Sequence, residues 1–157
     1  MENNINEYKY LFNNEEKRTT IIKEFEQNLS IYIQETERIW EETKTIEKSS
    51  TKFNEYSQNV LQQLQKLNDE LRKMSELKSE IFKKDVNFLL NLEKENYKMT
   101  LSIYINKLNC FELLKNDEDD YKLLQKEKEI ATMKSNLFGI REEINDFITN
   151  LKYKYLH

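Results

Sequence analysis

IKEFEQNLSIYIQETERIWEETKTI, residues 22–46, is the stretch whose reading decides the fold. Taken in alternating steps of three and four, it yields Ile22, Phe25, Leu29, Tyr32, Thr36, Ile39, Thr43 and Ile46. All but the two threonines are apolar, and threonine still offers a methyl group. An apolar stripe this narrow, between charged flanks, is the seam of a coiled coil or a slender helical bundle. Upstream, Tyr8 and Leu11 keep the register, while Glu15 and Arg18 interrupt it. A first helix is therefore predicted over residues 5–47.

The same register runs on through Ser50, Phe53, Ser57, Val60, Leu64, Leu67, Leu71 and Met74. Preserved phase argues for one unbroken helix to residue 75. The hydroxyls of Ser49, Ser50 and Thr51 argue for a turn and a fresh N-cap. A turn or kink is favoured, because a helix of some 70 residues would find no partner of equal length in this chain, so a second helix is predicted over 52–75. After Met74 the phase slips. Lys78 and Asp85 fall on the seam, and Leu77, Ile81, Phe82 and Val86 fall off it, as a stutter or short loop produces. A third helix, predicted over 86–114, has a wider apolar face and should sit centrally. Asn116-Asp117-Glu118-Asp119-Asp120 reads as a loop whose aspartates can cap a fourth helix over 121–155. Gly139 lies inside that helix, and either a close helix approach or chance retention accounts for it. The expectation is a single all-α domain over 1–157: an elongated antiparallel bundle or coiled coil of three to four long helices.

Composition agrees. The 157 residues hold no proline and one glycine, so the turns of a β-rich or α/β fold have no residues to form them. Charged residues make up 34 % and hydrophobic residues 38 %, too polar for a multilayer globule and too apolar for disorder. The net charge of −4 makes direct nucleic-acid binding through phosphate contacts an unfavoured reading. Charge is uneven: residues 1–47 hold eleven acids and six bases, and residues 48–84 hold eight bases and five acids. Within the second segment Arg72, Lys73, Lys78, Lys83 and Lys84 form a basic cluster that could meet an acidic partner or remain a solvated surface. One cysteine, Cys110, precludes an intramolecular disulfide and suits a reducing compartment. No apolar run is long enough to span a membrane. The polar N-terminus is unlike a secretory or transit signal. An intracellular protein, nuclear or cytoplasmic and not secreted, is expected.

Chemistry-bearing motifs are absent. Zinc needs about four close ligands, and the chain offers Cys110, the terminal His157 and little else. One histidine at the last position excludes histidine-based nucleophile systems, and one glycine excludes a Walker-type phosphate loop. The aspartate run lacks the spacing of a calcium loop. Glu15/Glu16 and Glu41/Glu42 read as exposed faces. No catalytic residue, metal or cofactor is expected. Trp40, beside the seam, is suited to core packing or to a partner.

Four stretches carry a resemblance: Arg18, Phe25 and Tyr32; Phe53-Asn54-Glu55-Tyr56-Ser57 with Val60, Leu64 and Leu67; Leu90 to Thr100; and Ile140 to Asp146 with Leu151-Lys152-Tyr153. In this order they resemble the Required for Excision 1-B domain family, with Glu93, Lys94, Glu95, Thr100, Ile144 and Asn145 as motif-like positions. Asn91, Asn96 and Tyr97 depart from the family's usual residues. The resemblance implies a non-enzymatic accessory role in DNA excision repair and carries over no catalytic residue. The alternative is a structural coiled-coil subunit of a cytoskeletal, ciliary, kinetochore or tethering complex. In either case the partner is a protein, or a second copy, held through helix faces. A 43-residue first helix would span about 65 Å. Its seam at Ile22, Phe25 and Leu29 is therefore expected to project from the bundle and to be covered by a partner.

Overall fold

The computed structural model of the chain describes residues 2–43, 49–113 and 120–156. They form four α-helices: α1 (Glu2–Thr43), α2 (Ser49–Ser75), α3 (Glu80–Leu113) and α4 (Asp120–Leu156). Side-chain partners fix their directions. Tyr32 meets Phe53 at 5.8 Å between ring centres, and Asn14 Nδ2 donates to the Leu67 carbonyl at 2.9 Å, so α1 and α2 are antiparallel. Ser30 Oγ and Tyr104 OH lie 3.0 Å apart and Tyr8 donates to Asp85, so α1 and α3 run parallel. Phe88 packs on Phe147 and Lys126 donates to Asn106, so α4 returns along α3. The result is an all-α, up-down-up-down bundle. Among the described residues, no helix is long and apolar enough to cross a membrane.

The chain does turn between the first two helices. Ser49, Ser50 and Thr51 belong to α2, so the hydroxyl cluster is helical; residues 44–48, Ile46 among them, lie outside the described residues. The phase slip after Met74 is a four-residue turn. Lys78 N donates to the Ser75 carbonyl at 3.0 Å, and Ser79 Oγ accepts from Phe82 N at 3.3 Å as the N-cap of α3. That cap starts α3 at Glu80, six residues before the predicted boundary, because Phe82 and Val86 already follow the register of the new helix, while Ile81 is exposed. Asp120 opens α4, where its charge favours the helix N-terminus. Residues 114–119, including most of the acidic loop, and His157 lie outside the described residues.

The prediction of a projecting seam is corrected. Ile22, Phe25 and Leu29 are buried by their own chain. Phe25 stacks between Tyr56 of α2 and Tyr97 of α3 at 5.7 and 5.9 Å. Trp40, near the end of α1, is likewise buried. Three neighbouring helices supply the cover that the seam needs, so no second chain is required there. The close helix approach expected at Gly139 is corrected too. A Cβ added at this position would meet nothing within 4 Å, so no helix of this chain approaches it.

Most of the apolar burial among the described residues falls into two clusters. One, at the end holding the α2–α3 turn, comprises Tyr8, Leu11, Phe12, Leu71, Phe82, Val86, Leu89, Leu90, Ile144 and Leu151. The other holds Ile22, Phe25, Leu29, Phe53, Val60, Leu64, Ile103, Tyr104, Ile130 and Leu137. Between them lies a layer of polar side chains.

A buried polar layer and the basic groove beside it

The layer begins with the two charges that break the first seam. Arg18 occupies a core position and is 2 % exposed. A buried guanidinium has to be hydrogen-bonded. Its Nη1 donates to Glu15 Oε2 at 2.9 Å, its Nη2 to Asn14 Oδ1 at 2.6 Å and to Asn68 Oδ1 at 2.8 Å. α1 and α2 are thereby tied by side chains one or two helical turns apart. On the other side Arg141 of α4 makes the equivalent link. Its Nε donates to Asn96 Oδ1 at 3.0 Å and its Nη2 to Thr100 Oγ1 at 3.1 Å, both on α3. The same guanidinium grips Glu26 of α1 through both carboxylate oxygens. A two-pronged contact of this kind sets the rotation of a helix as well as its distance.

Glu93 of α3 completes the layer. It is buried, its Oε1 accepts from Asn96 Nδ2 at 3.5 Å, and its carboxyl lies against that of Glu15. With both acids ionised, Glu15 Oε1 would face no donor. A single proton held between them removes the conflict. Burial first, and then the negative charge of Glu93, push the Glu15 carboxyl up to about 8, against the opposing pull of Arg18. Burial likewise raises Glu93. The arithmetic of charge agrees: Arg18 and Arg141 balance Glu26 and one of the two paired carboxyls, and the proton neutralises the other. The layer can hold or release one proton. Its other polar groups are taken up in joining four helices.

A groove of about 390 Å³ opens over this layer between α2 and α3. Its floor is apolar: Leu61 and Tyr97 are partly exposed there, over the buried Ile22, Leu64 and Leu90, and Arg18 and Glu93 also line it. Its rim carries Arg72 from α2 and Lys94 and Lys98 from α3, all exposed. Lys94 and Lys98 are four residues apart and so share one helix face. The only acid in the lining is the buried Glu93. A second cleft, of about 340 Å³, reaches the layer between α1, α3 and α4 and is lined by Glu15, Glu26, Arg141 and Asn145 among others. A third hollow, between α1 and α2, has Glu35 and Glu55 and no cation in its lining.

The structure divides the predicted basic cluster. Arg72 faces the groove. Lys73 borders a shallow hollow on α2 alone. Lys78 lies 3.9 Å from Glu7 and Lys83 lies 3.4 Å from Glu80, while Lys84 is exposed at the start of α3. The motif-like positions divide as well. Glu93 and Thr100 are in the layer, Lys94 is on the groove rim, Ile144 is in the core, and Glu95 and Asn145 are exposed. Glu15, expected on an exposed face, is buried, and Asn14, Asn68 and Glu26 are functional partners that the sequence does not single out. Glu15 and Arg18 at seam positions were the available signal, since a charge in a core register has to be answered from another helix. Among the described residues, no group of three or more His, Cys, Asp and Glu side chains could hold a metal ion. Comparison with family models, curated proteins and solved structures finds none that matches this chain.

Proposed function

We propose that the chain is a non-enzymatic, intracellular interaction protein whose α2–α3 groove receives an acidic amphipathic helix from a protein partner. One observation carries this reading. An apolar floor is bordered by Arg72, Lys94 and Lys98, with no exposed acid in the lining. An amphipathic helix laid in such a groove buries its apolar side chains on the floor and sets its carboxylates against the rim. The rim charges mainly speed encounter and reject basic competitors, while the floor supplies affinity. Three cations around an apolar trough fit a protein segment better than a nucleic-acid duplex, whose phosphates need a broad polar footprint.

The process we propose is an accessory role in DNA excision repair. Its support is the resemblance in sequence, together with the position of Arg18 and Glu93, two of the residues that carry it, in the lining of the groove. The partner is then another protein of the repair machinery.

The groove is tested with two labelled model peptides of identical leucine spacing, one bearing glutamates on its polar face and one bearing lysines. The glutamate peptide binds, and its affinity falls with added salt and with the double change Lys94→Glu, Lys98→Glu. Equal binding of both peptides, or of neither, would overturn the groove assignment. The process is tested by removing the protein from its cell: sensitivity to bulky DNA lesions supports the repair role, and normal lesion removal overturns it.

A further inference from the structure

The hollow between α1 and α2 measures about 430 Å³ and shares no lining residue with the α2–α3 groove. Its volume falls in the range of small-molecule sites, about 300–1,000 Å³. Asn28, Tyr32 and Glu35 reach it from one face of α1, at steps of four and three, and Phe53 and Tyr56 reach it from one face of α2. Three aromatic rings therefore line one hollow. The Tyr32 and Phe53 rings stand 5.8 Å apart between centres, with their planes inclined by 40°. Tyr56 is held from two sides. Its ring stacks on the buried Phe25 at 5.7 Å, and its hydroxyl accepts from the Asn28 side-chain amide.

The electrostatics of this hollow are one-sided. The face of an aromatic ring is negative. Glu35 and Glu55, both exposed, add two carboxylates, and the lining contains no base. Among the described residues neither carboxylate is in an ion pair. Arg38, one turn beyond Glu35 on α1, places its guanidinium 3.4 Å from Glu42 instead. Rings and carboxylates thus converge on a space to which the protein brings no positive charge.

We infer that this hollow binds a small organic cation, an alkylated ammonium whose methyl groups lie against Tyr32, Phe53 and Tyr56 and whose charge faces Glu35 and Glu55. A metal ion does not suit the wall. Hard cations take six or more oxygen ligands, whereas Leu29, Ile31 and the three rings make up most of this lining. No group of three or more His, Cys, Asp and Glu side chains that could hold a metal is present among the described residues. A bare ammonium is strongly hydrated and gives up its water reluctantly. A quaternary ammonium has no N–H to leave unsatisfied, and aromatic faces are its general mode of recognition.

Titration with choline, followed by amide NMR at constant ionic strength against sodium chloride, tests the assignment. Choline moves the signals of residues 28–35 and 53–59 saturably. Its uncharged isostere 3,3-dimethylbutan-1-ol has the same shape and binds about tenfold more weakly or not at all. The double change Glu35→Gln, Glu55→Gln, at two exposed sites, leaves the helix signal intact and weakens choline about fivefold. Tyr56→Leu keeps an apolar side chain without the ring and weakens it about tenfold. Choline that leaves these signals in place would overturn the proposal, as would equal binding of the uncharged isostere. Affinity indifferent to the double glutamine change would overturn it too, and that variant decides the matter even if Tyr56→Leu unfolds the chain. The groove variant with Lys94→Glu and Lys98→Glu still binds choline, and the double glutamine variant still binds the glutamate peptide, so failure of either proposal leaves the other standing.

Discussion

Replacing Glu15 with glutamine should remove most of the pH dependence of stability between pH 5 and 9. Glu15 sits between Arg18 and Glu93, and its carboxyl is raised from the ordinary 4.5 to about 8, chiefly by burial. The folded protein therefore binds this proton more tightly than the unfolded chain does. Stability from this group is complete below pH 4.5, declines as pH rises, and is fully lost once pH passes about 8. Each tenfold in proton affinity is worth about 1.4 kcal/mol, so the whole change approaches about 5 kcal/mol. Domain stabilities are about 5–15 kcal/mol in total, so the effect is large. Glu93 draws on the same proton, and the loss is one event of the pair. Glutamine has the shape of the protonated acid: its amide donates toward Glu93, and its carbonyl still accepts from Arg18. Urea denaturation of both proteins at a series of pH values gives the comparison. The two should match at pH 5, and the variant should be the more stable at pH 9. A wild-type midpoint that is flat over this range, or a variant that keeps the wild-type slope, would refute the shared-proton layer.

Leu64→Ala and Leu67→Ala, both at buried positions on α2, should each cost about 2–5 kcal/mol in the same assay, and unchanged midpoints would contradict the seam. Gly139→Ala should stabilise the folded chain by about 1 kcal/mol, because the added methyl group enters open space in a helix interior; destabilisation in dilute solution would show an intrachain contact there. Cys110 is half-buried and burial raises its thiol, so alkylation at neutral pH should be slower in the folded chain than in the unfolded one. Equal rates would place the thiol in solvent.

The helices were legible because their evidence is local. The steps from Ile22 to Ile39, and from Phe53 to Met74, repeat a pattern that only a helix can use. The break after Met74 showed as a phase slip for the same reason. How the helices pack was not local. Whether Phe25 meets solvent, another chain or Tyr56 and Tyr97 depends on the reversal between α1 and α2, and periodicity is identical in each case. The polar layer was half legible. Glu15 and Arg18 stood out as charges on the seam, but their partners Asn68 and Glu93 lie more than 45 residues away; Asn68 carries no mark in the sequence, and Glu93 is marked only by the resemblance, not as a partner of Glu15. The groove was less legible still: Arg72 and Lys94 come together only because α3 folds back along α2. Gly139 misled because glycine in a helix signals close approach, and its side of α4 faces away from the bundle.

Photo-crosslinking from the groove inside the cell tests the interaction role most directly. A photoreactive side chain is placed at Gln65 on the groove, and in a separate chain at Glu16 on the exposed face of α1; the crosslinked segments are then sequenced. The groove position should capture one recurring segment rich in Asp and Glu with apolar residues at helical spacing, and the Glu16 position should not. Capture of the same proteins from both positions, or of basic or non-helical segments at Gln65, would contradict a groove built for an acidic helix.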